Sequence, residues 1–283
     1  MKGRLQGPRA KGPRLNCEMI DDLEAAAAQR CADKFGVPGF DDPEGLFIGQ
    51  RYDGYTEENQ QTWRELYERQ IQLLSTHASA TFMAGAHAIQ LAPEHIPQLD
   101  RVSARLRPLT GWQSRPVPGY LPSRAFFACL ARRTFPTTIV IRPSDSLDYL
   151  PEPDIFHDVF GHVPLHADSA FAEFLQTYGR AALCTHDSSQ IERLARLFWF
   201  TVEFGLIQER GEIRLYGSGL ISSPAEALHA LESDEVQRRP FELEEVCETD
   251  FEIDHFQPIL FVLDDFEQLQ RAMTDYASTL IDS

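Results

Sequence analysis

The chain has 283 residues, 43% of them apolar and 24% charged, which is enough apolar material for a sizeable core and leaves room for one large domain or two small ones. With 43 acidic residues against 26 basic ones its formal charge is −17, so most of its surface repels polyanions, which argues against nucleic acid and anionic membranes as partners. No stretch approaches the roughly eighteen apolar residues of a membrane span, and the N-terminus lacks the apolar core of a signal peptide.

Residues 1–14 carry five basic residues, three glycines and two prolines without an acid, a composition that cannot offset its ordering entropy. Residues 1–36 therefore read as a flexible N-terminal segment, with a short helix expected around Asp21 to Arg30. From residue 56 a helical stripe is plain: Trp63, Leu66, Tyr67, Ile71 and Leu74 share one face behind Thr56 as N-cap. A proline-rich connector follows at Arg107 to Pro122, and Thr137 to Ile141 is a β-branched, strand-like run. After a second connector at Pro143 to Pro153, the residues Phe171, Phe174, Leu175 and Tyr178 form another helical stripe. Ile213 to Tyr216 alternates and Ile259 to Leu263 is continuously apolar, so both read as strands. A last helix carries Phe266, Leu269, Met273 and Tyr276 behind a cap at Asp264 or Asp265. The expected fold is mainly α, one domain over 37–280 with a few short β-strands. The five cysteines (Cys17, Cys31, Cys129, Cys184, Cys247) show no paired spacing and are expected to be reduced thiols in a cytoplasmic protein.

The densest set of potential ligands lies in Pro151 to Pro164, where His157 and His162 stand five apart among apolar residues. On a regular helix such residues are about 140° apart, so both rings reach one ion only near a helix end or if the chain bends at Gly161. Taken alone, the pair is as readily explained as satisfied core histidines. Leu197 to Ile207 changes the balance, because Glu203 is the one ionisable group in eleven residues. A buried carboxylate must be protonated, paired or given to a metal. Two imidazoles and a carboxylate form a facial triad suited to non-haem Fe(II). The alternatives are a salt bridge from Glu203 to Arg142 or Arg196 and a catalytic zinc in a hydrolase. Against the hydrolase, HDVFGH lacks the HExxH arrangement that sets a glutamate base beside two histidines.

The stretches PEPDIFHDVFGHVPL (151–165), FWFTVEFGL (198–206), YGSGLISS (216–223) and FQPILFV (256–262) resemble, in order and spacing, the tetrahydropterin-dependent aromatic amino acid hydroxylases, most closely their bacterial members. Weaker similarity runs through WRELYERQ (63–70) and RPVPGYLPSRAFFACLARRTFP (115–136). The resemblance covers roughly 43–275, which spans that family's catalytic domain. It implies His157, His162 and Glu203 as iron ligands, Fe(II) and a tetrahydropterin as cofactors, and O2 as co-substrate. On the substrate side it implies Arg142 for the amino acid carboxylate, Pro153, Trp199 and Phe204 around the aromatic ring, and Gly219 and Ser222 beside them or behind the ligands. On the pterin side it implies Gly119, Leu121, Ser123 and Phe126, the last stacking on the ring, with Ala195 and Phe198. Asp158, where the animal enzymes have glutamate, is expected to reach the pterin through water.

Phe198 stands where the animal enzymes have tyrosine, Leu150 replaces a threonine, and Ser218 occupies a position usually held by alanine. The resemblance implies hydroxylation of a free aromatic amino acid, with phenylalanine favoured by Trp199 and tryptophan by Ile253. Para attack is the default, and meta attack is left open by Ser218. Tryptophan 5-hydroxylation and phenylalanine 3-hydroxylation are thus the neighbouring alternatives. No counterpart of the animal tetramerisation helix is recognisable, so a monomer or loose dimer is expected. Pterin-recycling enzymes would be functional partners without a stable complex.

Overall fold

The structure is a computed structural model and describes Gln29 and residues 42–147, 153–251, 253 and 255–281. Helix α1 (Glu57–His77) starts where its capping chemistry dictates. The Thr56 hydroxyl accepts from the Asn59 amide and the Asn59 side chain accepts from the Thr56 amide. Its buried face carries Trp63, Leu66 and Leu74, while Tyr67 and Ile71 lie half-buried at the edge. Helices α2 (Ala80–Ala88) and α3 (Leu99–Thr110) follow, α3 ending on Gly111 in the left-handed region at φ 78°.

The proline-rich stretch after α3 is not simply a connector. It contains β1 (Gln113–Val117), which pairs in parallel with β2 (Thr134–Thr138) across α4 (Ser123–Ala131). The strand expected at Thr137 to Ile141 therefore begins and ends three residues earlier. Its register is set by β1 and by the Ser114–Thr137 hydroxyl contact of 2.5 Å, and Val140 already turns outward at 65% exposure.

Beyond residue 153 the chain forms the helical segment Phe156–His162, a 3-10 turn (Val163–Ala167), then α5 (Ser169–Cys184) and α6 (Ser188–Phe198). Helix α5 is the core's axis: Phe171, Phe174, Leu175 and Tyr178 are each at most 1% exposed, and burial of each contributes about 1.5–3 kcal/mol. A four-stranded sheet, in the order β4-β3-β6-β5, is built from β3 (Leu206–Glu209), β4 (Glu212–Leu215), β5 (Gln237–Pro240) and β6 (Ile259–Leu263). The hairpin β3–β4 turns through Arg210 and Gly211, both at positive φ, which matches the strand twist. Between these strands lie α7 (Ser218–Ser222), α8 (Pro224–Glu232) and α9 (Leu243–Glu248). The last helix is α10 (Phe266–Ile281), capped by the Asp265 carboxylate on the Gln268 amide.

The chain is mainly helical, as the sequence predicts. The helix expected around Asp21 to Arg30 lies outside the described residues except for Gln29, which is helical, and Leu150 lies outside them as well. No described helix is long and apolar enough to cross a membrane. Cys129, Cys184 and Cys247 are free, the first and last of them buried.

Candidate active site

The five-residue spacing of the histidines is resolved by the helix itself. Phe156–His162 is π-helical, so its hydrogen-bonded rings close over five residues and His162 stacks one turn above His157 instead of 140° round the axis. No bend at Gly161 is needed. Gly161 serves a different purpose: a Cβ there would meet Ser218 at 3.1–3.2 Å, so its bareness lets α7 approach. A second π-turn, Trp199–Glu203, follows α6 and is closed by the Phe204 amide donating to the Trp199 carbonyl at 2.9 Å. It swings Glu203 off the apolar face that the helix would otherwise give it and turns it toward the imidazoles.

The three groups meet. His162 Nε2 lies 3.1 Å from His157 Nε2 and 3.2 Å from Glu203 Oε1, and His157 Nε2 lies 3.6 Å from Glu203 Oε2. Among the described residues this is the one cluster of His, Cys, Asp or Glu side chains close enough to share an ion. Donors about 2.1 Å from a cation and at right angles to one another are about 3.0 Å apart, close to the 3.1 and 3.2 Å that separate His162 Nε2 from the other two groups. Both proposed salt bridges are ruled out by geometry. Arg142 is engaged by Asp154, and Arg196 by Asp250 at 3.0 Å and Glu192 at 3.9 Å.

Protonation favours a cation. Burial pushes the His157 imidazole down to about 4, against the pull of Glu203, so the ring is neutral at neutral pH. Burial alone would raise Glu203, but the nearby His162 and His157 rings and the Ser218 hydroxyl outweigh it and bring the carboxyl down to about 2. Neutral nitrogen and ionised oxygen are the forms a metal takes. Helix α7 fixes two of the three groups. The Ser222 hydroxyl lies 2.8 Å from both His157 Nδ1 and the Ser218 carbonyl, and the Ser218 hydroxyl donates to Glu203 Oε2 at 2.7 Å. The carbonyl can only accept, so Ser222 spends its one proton there and must accept from His157 Nδ1–H. That leaves the Nε2 lone pair facing the cluster.

Around this centre, Arg142 is buried and held by both oxygens of Asp154, through Nε at 2.8 Å and Nη2 at 3.0 Å, while Nη1 donates to the Leu147 carbonyl at 3.2 Å. Two of its five N–H donors remain for a second acceptor. Trp199 stacks on Phe251 at 4.5 Å and leans on Phe204 at 4.8 Å. The Phe204 ring lies against Gly219, where a Cβ would meet it at 3.0 Å. Pro153 is exposed, beside residues outside the described set. Of the pterin-side residues, Phe126 meets Phe198 edge-on at 5.6 Å, and Phe198 lies 6.5 Å from the His162 ring. Ala195 precedes Phe198 on α6 and is half-buried, while Ser123 opens α4. Leu121 packs into a small satellite core with Leu46, Val117, Ala125 and Cys129, and Gly119 has φ 154°. Asp158 is buried, and its Oδ2 accepts from the Thr138 amide at 2.7 Å; burial chiefly pushes its carboxyl up to about 7, opposed by His162 and that amide.

Asp154 went unnoticed in the sequence, and Ser218 was singled out there without its contact to Glu203. Asp154 holds Arg142 and also accepts from the His157 amide at 2.9 Å; its place in PEPD, three residues before a ligand, was the available signal. The hydroxyl of Ser218 on Glu203 had no local signal, because the two residues are 15 apart and meet only through the fold.

A helical catalytic domain with a two-histidine, one-carboxylate centre defines a class of mononuclear non-haem metal proteins. Residues 51–283 match the model of the biopterin-dependent aromatic amino acid hydroxylases, and the chain belongs to that family. It is 44% identical to phenylalanine-4-hydroxylase of Ralstonia nicotianae over 67% of this chain and 60% of that protein. To the Caulobacter vibrioides phenylalanine-4-hydroxylase it is 43% identical over 70% of this chain and 67% of that one. Among solved structures it is similar to Chromobacterium violaceum phenylalanine hydroxylase with bound iron(III) and oxidised 7,8-dihydrobiopterin, with a TM-score of 0.80 and 38% identity over 87% of this chain and 89% of that one.

Proposed function

We propose that this chain is an Fe(II)- and tetrahydropterin-dependent monooxygenase that converts free L-phenylalanine to L-tyrosine with O2 as co-substrate. The observation that carries this reading is the cluster of His157, His162 and Glu203, with His162 Nε2 3.1 Å from His157 Nε2 and 3.2 Å from Glu203 Oε1. When bound, ferrous iron and the reduced pterin supply the electrons that activate O2 for insertion into the ring. The protein's own part is to bind and orient. His157, His162 and Glu203 hold the ion from one side and leave the opposite positions open. The two spare N–H groups of Arg142 take the substrate carboxylate, with Asp154 fixing the guanidinium plane. Trp199, Phe204 and Gly219 wall the aromatic ring, with Pro153 at the rim and Ser222 behind His157. Gly119, Leu121, Ser123, Phe126, Ala195 and Phe198 form the pterin side, which Asp158 reaches through water.

Phenylalanine is favoured over tryptophan because Trp199, packed on Phe251, matches the residue of the phenylalanine enzymes, whereas Ile253, the position that favours tryptophan, is 41% exposed. The same reading makes the protein a cytoplasmic monomer or loose dimer whose pterin is recycled by separate enzymes. The free, buried Cys129 and Cys247 thiols, pushed up by burial to about 12 and about 11, agree with a reducing compartment. Product analysis after aerobic turnover with Fe(II), a reduced pterin and either amino acid tests the assignment. Tyrosine from phenylalanine is expected; 3-hydroxyphenylalanine, or preferential formation of 5-hydroxytryptophan, would overturn it.

A further inference from the structure

A cavity of about 490 Å3 opens between α1, α3 and the chain that joins α2 to α3, and none of the residues assigned to the active site lines it. The joining chain has no regular structure over 91–98, yet side chains tie its backbone down. Gln60 accepts from the Ile96 amide at 2.8 Å, while Trp63, Tyr52 and Gln50 donate to the carbonyls of Ala92, Ile96 and Pro97, each at 2.9 Å. The cavity is thus preformed, and the buried Ile89, Ile96 and Val102 give it an apolar lining beside the Tyr52 ring.

Three arginines share this cavity: Arg64 of α1, and Arg101 and Arg105 one turn apart on α3. Elsewhere arginines find carboxylates, as Arg115 finds Glu44, Arg193 finds Glu244 and Arg239 finds Glu245. These three pair with no carboxylate among the described residues, although Glu57 and Glu94 line the cavity with them. Each guanidinium carries five N–H donors. Arg64 commits one to Gln61 at 2.6 Å, and Arg105 commits one to the Arg101 carbonyl and one to the Gln90 side chain. The Arg101 guanidinium donates to no described residue.

We propose that this cavity binds a small organic phosphate of the nucleoside monophosphate class, with the three guanidinium groups on the phosphate and the apolar lining and Tyr52 ring against the base. Guanidinium forks match phosphate oxygens in geometry and charge. Glu57 and Glu94 offset most of the positive charge, which suits one phosphate group and disfavours a polyphosphate. The volume falls within the range of about 300–1,000 Å3 usual for small-molecule sites.

The test titrates the full chain calorimetrically with adenosine monophosphate, adenosine and inorganic phosphate. It uses wild type, Arg64→Ala, Arg101→Ala and Arg105→Ala, with Arg210→Ala in the exposed β3–β4 turn as control. Wild type should bind one adenosine monophosphate per chain, about tenfold or more tightly than adenosine or phosphate alone. Each cavity variant should weaken that binding by about tenfold or more, the control should leave it unchanged, and rising salt should weaken it. Arg101 is exposed, so its loss leaves the fold intact. No binding at millimolar nucleotide, equal binding of adenosine or of phosphate, undiminished affinity in the three cavity variants, or a crystal structure that seats the nucleotide at Arg142 would each overturn the proposal.

Discussion

Replacing Ser222 by alanine tests the tautomer argument most sharply. In the wild type the Ser222 hydroxyl, 2.8 Å from the His157 ring, takes the Nδ1 proton because its own proton goes to the Ser218 carbonyl. Removing it leaves a largely buried N–H without an acceptor and lets the ring rotate and exchange tautomers, so that Nε2 is no longer held as the free lone pair. Loss of such a partner behind a metal-bound histidine typically costs about 10–100-fold in affinity, which is about 1.4–2.7 kcal/mol at 1.36 kcal/mol per tenfold. The metal-free fold should lose only the net value of one hydrogen bond, about 0.5–1.5 kcal/mol. The assay is an anaerobic Fe(II) titration against a competing chelator, paired with denaturant unfolding of the metal-free protein. Ser222→Thr, which keeps the hydroxyl, should recover most of the affinity. Unchanged Fe(II) affinity in Ser222→Ala would refute the reasoning.

Asp154→Ala leaves the buried Arg142 guanidinium unpaired and should destabilise the fold by about 3–5 kcal/mol, read from urea unfolding, while raising the KM for the amino acid. His166→Phe should stabilise the protein by about 1–3 kcal/mol, because both His166 ring nitrogens are buried without partners in a ring stacked 4.6 Å from Trp112. Burial holds the native His166 imidazole below its unfolded value of about 6.5, so the unfolded state binds the extra proton and wild-type stability falls as pH drops through that value. The variant's advantage in pH-dependent unfolding should therefore widen on acidification; an advantage that shrinks would contradict the account. Because burial holds His157 down at about 4 and Glu203 sits lower still, at about 2, metal affinity should weaken as pH falls toward 4, where His157 protonates first of the two. Isothermal titration with Co(II) across pH checks this, and an onset set by Glu203 alone would contradict it.

Local chemistry was legible in the sequence wherever one segment decides its own structure. Thr56 capped α1 as its position implied, the aromatic stripe of α5 was buried in full, and β6 spans Ile259–Leu263 as read. Strands made by pairing were harder: β1 hides among prolines and is a strand because β2 runs beside it, and β2 was misplaced by three residues for the same reason. The meeting of Glu203 with His157 and His162 was legible because a lone carboxylate in an apolar run demands a partner. The π-helical geometry that brings the three together was not, since a period of 3.6 is the default reading and widening it requires tertiary packing. Likewise Arg142 was singled out but Asp154, which fixes it, was not.

The central claim is that Glu203 is tolerated in its apolar surroundings because it grips the same ferrous ion as His157 and His162. The most direct measurement is single turnover under 18O2 with phenylalanine and reduced pterin, comparing wild type with Glu203→Gln at matched Fe(II). Wild type should bind one Fe(II) per chain and yield tyrosine carrying 18O, and the variant should do neither. Labelled tyrosine formed by Glu203→Gln at the wild-type rate would contradict the account.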